Sequence, residues 1–200
     1  MNIPVFNTTN IFPHFKRSFL QLEQVQGSYE SVFGGTKQID HFVICKASAI
    51  CLTLYDKDTD EFVFVKQFRM GAYKHPDETD AWVIEPVAGH IDPKEDPMLA
   101  AQREGQEETN MLIKLEDIHY LCKGYTSAGI SNEMHHTYFA YVDSSNFDLN
   151  RSHGIDDEDI QIIKLKRADV MKMIASGEIR TCSAIIGVSM AIAKGLVPAA

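Results

Sequence analysis

Three glutamates, Glu104, Glu107 and Glu108, stand three and four residues apart near the middle of this 200-residue chain. On a helix that spacing projects all three carboxylates from one face, where like charges repel and cost stability. Clustered carboxylate oxygens are the ligands that hard divalent cations such as Mg²⁺ take. A cation held there would neutralise an anionic substrate, stabilise a leaving group and lower the pKa of a bound water. A nearby carboxylate could then accept the proton of the attacking water. The plain alternative is a solvated acidic face. Ala100 and Ala101 argue against it, because they fall on the same face one turn earlier, while Gln102 and Gln106 mark the other side as the wet one.

The elements that must position these carboxylates are legible around them. Pro97 suits a first helical turn, Asp96 before it suits an N-cap, and Asn110 suits the left-handed stop that closes a helix. The spacing therefore predicts a helix over 97–109. Before it, Trp82-Val83-Ile84 reads as a strand leading into Glu85-Pro86-Val87-Ala88-Gly89. Pro86 has no amide hydrogen and Gly89 permits conformations closed to other residues, so the backbone here can bend sharply and turn a carbonyl outward.

Gly89, five residues, Glu95, seven residues, and then Arg103-Glu104-Gly105-Gln106-Glu107-Glu108-Thr109-Asn110-Met111 resembles the Nudix box. That box is a loop-helix-loop which holds Mg²⁺ against a pyrophosphate in hydrolases of nucleoside diphosphates linked to another group. Gly105 stands where an aliphatic or small residue is usual, and Asn110 where the pattern has Gly; neither departure removes a charge. Among these enzymes the chain is most similar to bacterial ADP-ribose pyrophosphatases, over a stretch from about Asn10 to the second C-terminal helix. Gln67-Phe68-Arg69 followed by Ala72-Tyr73 resembles their substrate-contacting strand end. The loop 125–133 keeps their Ser127, Gly129, Ser131 and Glu133, with Ala128 where a Pro is usual.

The resemblance implies an α+β fold, a Nudix-type α/β/α sandwich around a mixed β-sheet. It implies residues 1–40 as a β-rich arm that pairs with a second subunit in a homodimer, and 41–200 as the hydrolase domain. It implies Mg²⁺, or Mn²⁺ in its place, held by Glu104, Glu107, Glu108, the Ala88 carbonyl and Glu158. The catalytic group would comprise Glu108, Glu158, Asp156 and Arg103, the last pairing with Glu95 or Glu107 to hold the box in shape. The base position is Asp156, where the subfamily has Glu, so Glu108 and Glu158 stay open for that role. Arg69, whose planar fork suits phosphate oxygens, and Glu85 and Glu133 would meet the substrate. The implied reaction is hydrolysis of ADP-ribose to AMP and ribose 5-phosphate. Alternatives are another nucleoside diphosphate sugar, such as a GDP-hexose, or a sensor that binds without cleaving.

Two hundred residues fit one domain of ordinary size, or one domain with a small extra element, and a hydrophobic content of 44% is enough for a core. A net charge of −9 argues against a nucleic-acid backbone binder. The N-terminal residues lack the pattern of a secretory signal, and the most apolar stretch, 184–193, is too short to span a bilayer. Cys45, Cys51, Cys122 and Cys182 are scattered, which suits reduced thiols in a cytoplasmic protein. Strands are expected at 15–24, 41–55, 61–68, 81–85, 111–115, 118–122, 135–142 and 160–165. Helices are expected at 168–176 and 184–194, and turns at 29–35 and 56–60. His135 and His136 would point to opposite faces of one strand, so they read as structural.

Overall fold

The computed structural model describes residues 6–17, 20–76, 80–145 and 159–198. They fall into two compact units, one drawn from Met1–Ser48 with Gly124–His135, the other from Ala49–Lys123 with His136–Ala200.

The first unit is a three-stranded antiparallel sheet in the order β1 (Phe6–Arg17), β2 (Leu20–Glu30), β3 (Thr36–Lys46). The single strand expected at 15–24 is instead split between two: Phe15 and Leu22 face each other across the ladder. Gly34 and Gly35, at φ 88° and 80°, take the left-handed conformations that let β2 return into β3. Polar side chains lace the strands together: Gln24 and Gln26 both donate to Asp40, at 2.7 and 3.0 Å. Among the described residues of this unit no apolar side chain is fully buried, and Ile11, Phe12, Phe15 and Phe42 are exposed.

The second unit is built on β4 (Ala49–Asp56), all eight of whose residues are buried. Its sheet has the order β10 (Ile160–Lys166), β5 (Glu61–Phe68), β4, β9 (Met134–Tyr141), β8 (Ile118–Tyr125). Two short strands extend it, β6 (Trp82–Glu85) on β5 and β7 (Val87–His90) on β4. Alternation along β4 feeds two cores. Ile50, Leu52 and Leu54 join Ala100 and Ala101 of helix α2 (Pro97–Thr109) on one face. Tyr55 with Phe62 and Phe64 of β5 joins the helices α3 (Arg167–Ser176) and α4 (Cys182–Ala193) on the other. This is the expected α/β/α sandwich, with α2 on one side and α3 and α4 on the other.

Helices α2 and α4 each approach β4 through a glycine. A β-carbon at Gly105 would lie 2.5 Å from Ile113 Cδ1 and 2.9 Å from Leu52 Cδ2; one at Gly187 would lie 2.0 Å from Thr53 Oγ1. A mid-helix glycine costs about 1 kcal/mol relative to alanine, and the close approach explains why it stands here. The segment 111–115, expected as a strand, is none. Met111 and Ile113 plug the core with 6% and 1% exposure, while Leu112 between them is 80% exposed. Gln102 Nε2 and Gln106 Nε2 donate to the Ile113 carbonyl at 2.7 and 3.5 Å, so the side read as wet holds this segment against α2. A one-turn helix, α1 (Met70–Tyr73), follows β5 and had no signal in the sequence.

The β4–β5 turn is closed by Asp56, whose carboxylate accepts from the amides of Asp58 and Thr59 and from the amide and hydroxyl of Ser144. Burial would push this carboxyl up, but those hydrogen bonds hold it below the usual range. Asp60 receives the Tyr55 hydroxyl and the Arg167 guanidinium, tying the turn to the start of α3.

Candidate active site

Helix α2 begins where the sequence places it. Asp96 is extended, and its Oδ1 accepts from Met98 N at 2.8 Å and Leu99 N at 3.4 Å, with Pro97 in the first turn. Such a cap is worth about 1 kcal/mol. Asn110 ends the helix at φ 54°, ψ 21°, its amide donating to Gln106 O. Between these ends Glu104, Glu107 and Glu108 form the carboxylate stripe. Glu108 is 6% exposed, an unusual burial for a charged side chain.

Arg103 holds the stripe in place. Its Nε and Nη2 form a fork on Glu95, at 2.9 Å each, and its Nη1 reaches Glu104 at 2.8 Å and Glu107 at 3.1 Å. Nη2 also donates to the His90 carbonyl at 3.2 Å. The Arg103 guanidinium pushes the Glu95 carboxyl down, and Glu95, with Glu104, pushes the guanidinium up. Glu95 in turn accepts from Asp92 N at 2.9 Å, while Glu95 N donates back to Asp92 O at 2.9 Å. The loop before the helix is thus folded onto the same cation that spans the carboxylates.

The second positioning element is β7. Gly89 sits opposite Ile50 of β4, and a β-carbon there would lie 1.9 Å from Glu104 Cδ and 2.1 and 2.3 Å from its two oxygens. The Glu104 carboxylate therefore occupies the space a side chain at 89 would fill. Ala88, one residue earlier, pairs with Cys51 in the same ladder.

Arg69 and Glu85 meet at the end of β5 and β6, Nε to Oε2 at 2.6 Å. Glu133 belongs to the first unit. Its oxygens are taken by Lys46 Nζ at 2.7 Å and Thr126 Oγ1 at 3.2 Å. Burial would raise its carboxyl, but the Lys46 ammonium holds it below the usual range. Lys46 had no signal in the sequence because its partner lies 87 residues away. Asp156 and Glu158 lie outside the described residues.

Among the described residues no three His, Cys, Asp or Glu side chains form a metal site by themselves. The donors present nonetheless fit a hard cation. They are carboxylates on one helix face, one of them seated in the gap that a glycine leaves in the neighbouring strand. Arg103, which contacts both Glu104 and Glu107, supplies a positive charge to that cluster.

The sequence profile described as NUDIX domain matches residues 46–178. An ADP-ribose pyrophosphatase of Haemophilus influenzae is 28% identical over 173 residues, covering 84% of this chain and 78% of that protein. A GDP-mannose pyrophosphatase of Citrobacter koseri is 29% identical over 136 residues, covering 68% of each. A crystal structure described as an ADP compounds hydrolase superposes with a TM-score of 0.70 over 96% of this chain and 95% of that one; at 15% identity it speaks for the fold alone.

Proposed function

The chain belongs to the Nudix family, and we propose that it is a metal-dependent pyrophosphohydrolase that cleaves ADP-ribose to AMP and ribose 5-phosphate. The observation that carries this reading is the carboxylate stripe of α2, with Glu104 seated over Gly89 and Arg103 tying it to Glu95. Maintaining three acids on one face, one of them buried, costs stability that a purely structural helix has no reason to bear.

In this reading Glu104, Glu107, Glu108, the Ala88 carbonyl and Glu158 would hold Mg²⁺ or Mn²⁺, which when bound supplies charge neutralisation of the diphosphate and a more acidic water. Arg103 keeps the carboxylates oriented, so that little reorganisation is needed at the moment of reaction. Arg69 binds the diphosphate. One carboxylate of Glu108, Asp156 and Glu158 takes the proton of the attacking water as its oxygen bonds to phosphorus and the bridging oxygen leaves. No described helix is long and apolar enough to cross a membrane, and all four cysteines are unbridged, which supports placement in the reducing cytoplasm.

A second reading, cleavage of a GDP-hexose, is favoured by the similarity to a GDP-mannose pyrophosphatase. A third, a sensor that binds without cleaving, conflicts with the retained acids. Product analysis decides among them. Mg²⁺-dependent AMP release from ADP-ribose, lost in Glu108→Gln, is the expected result; cleavage of GDP-mannose alone would transfer the assignment, and tight binding with no product would make the protein a sensor.

We further propose a homodimer. The support is the first unit, whose sheet leaves Ile11, Phe12, Phe15 and Phe42 in water with no fully buried apolar side chain among its described residues. A mass of twice 22.5 kDa by light scattering is the expected outcome; a monomer at micromolar concentration would overturn it.

A further inference from the structure

Two side chains read from the sequence as separate substrate contacts touch each other. Arg69 Nε donates to Glu85 Oε2 at 2.6 Å, and it is the guanidinium's sole partner among the described residues. We infer that Glu85 is a positioning residue: it does not bind the substrate but aims Arg69, the group that binds the diphosphate. The inference rests on the hydrolase reading above and assigns a division of labour within that site.

The ladder shows why Arg69 needs such a partner. Glu85 is opposite Val65, and Arg69 N donates to Ala81 O, so the two side chains start four ladder positions apart. They can meet only by running toward each other along one face of the sheet. That face is the one covered by α2, because Val65 shares its core with Ala100 and Ala101. Arg69 is 43% exposed and stands just past the end of β5, outside the sheet's regular ladder. Glu85 is 15% exposed and is followed at once by Pro86 and β7, so its own backbone is anchored in the sheet. The more buried acid therefore draws the more exposed cation back onto the side that carries the box.

The chemistry of the contact supports the same assignment. Glu85 occupies Nε, the inner edge of the guanidinium. The two terminal nitrogens remain as a planar fork able to meet two phosphate oxygens. A carboxylate is also the wrong charge to bind a diphosphate directly, so a substrate role for Glu85 would need another group of the ligand, whereas a role through Arg69 needs none.

A double-mutant cycle tests this, read on KM and kcat for ADP-ribose with Mg²⁺. Glu85→Gln should raise KM about ten-fold with little change in kcat, the mark of lost substrate binding rather than lost chemistry. Arg69→Met should raise KM at least as much, and adding Glu85→Gln to Arg69→Met should change nothing more, because the aimed group is already gone. Multiplicative losses, a Glu85→Gln effect undiminished without Arg69, or no effect of Glu85→Gln, would each overturn the inference. If the wild type cleaves no nucleoside diphosphate sugar, the hydrolase reading fails separately, and the same cycle is read on ADP affinity by calorimetry. There, non-additive loss supports the pairing, and additive loss or no ADP binding by the wild type overturns it.

Discussion

Helices α2 and α4 meet the same strand by the same device and carry opposite loads. Consecutive residues of β4, Leu52 and Thr53, point to opposite faces and each abuts a helical glycine, Gly105 on one side and Gly187 on the other. Around that contact α4 is apolar, with Ala184, Val188 and Ala191 buried, and its work ends with packing. Helix α2 buries Ala100 and Ala101 the same way but adds three carboxylates and an arginine to its flank. The difference shows how a helix can bear an electrostatic burden: close backbone contact at the glycine secures it to the sheet, and Arg103 with Glu95 offsets the repulsion.

The sharpest test of that contrast is Glu108→Gln. It should reduce kcat by at least about 10²-fold, whether Glu108 holds the metal or takes the proton, and leave the melting temperature level or raised, since one of three repelling charges is gone. A stability loss with retained activity would make the stripe structural and dissolve the contrast. Gly89→Ala follows. Its methyl must displace the Glu104 carboxylate, and a shift of about 1 Å in a reacting group costs about 10²-fold in rate; activity near that of the wild type would remove the cradle from the site.

The paired glycines come next. Gly105→Ala and Gly187→Ala should each destabilise the fold by about 1–3 kcal/mol through overpacking, measured by urea denaturation. Only Gly105→Ala should also lower kcat, since it moves the helix that bears the carboxylates. Equal effects on kcat would erase the distinction between the two sides.

The smallest effect concerns the strand they share. The Asp56 carboxyl titrates lower when folded than the unfolded value near 3.9. Its stabilising contribution is therefore complete above about pH 4 and disappears as pH falls through the lower folded value. Asp56→Asn should flatten the acid limb of the stability curve without moving the plateau's pH limits above neutrality. An unchanged acid limb would show that Asp56 does not contribute to it.

The ends of α2 and its stripe were legible because caps and i,i+4 spacing are local. Asp96, Asn110 and the glutamates all act within one or two turns of themselves. What could not be read was set by distant partners. Gln102 and Gln106 look like a wet face until the Ile113 carbonyl arrives against them. Gly105 looks like a departure from a pattern until Ile113 and Leu52 are seen filling its space. The Arg69–Glu85 and Lys46–Glu133 pairs bridge 16 and 87 residues and left no mark in either segment. Segment 111–115 reads as a strand because it is mostly apolar, and Met111 and Ile113 do enter the core, but no described strand pairs with it.

The alternation of β4 also bears on how this chain can change over generations. Leu52 and Thr53 fit their glycines by parity, so one inserted or deleted residue earlier in the strand would present a hydroxyl to α2 and an isobutyl group to α4. Substitutions of similar size can accumulate along β4, whereas its length is fixed, and variation in length is left to the turns at its ends.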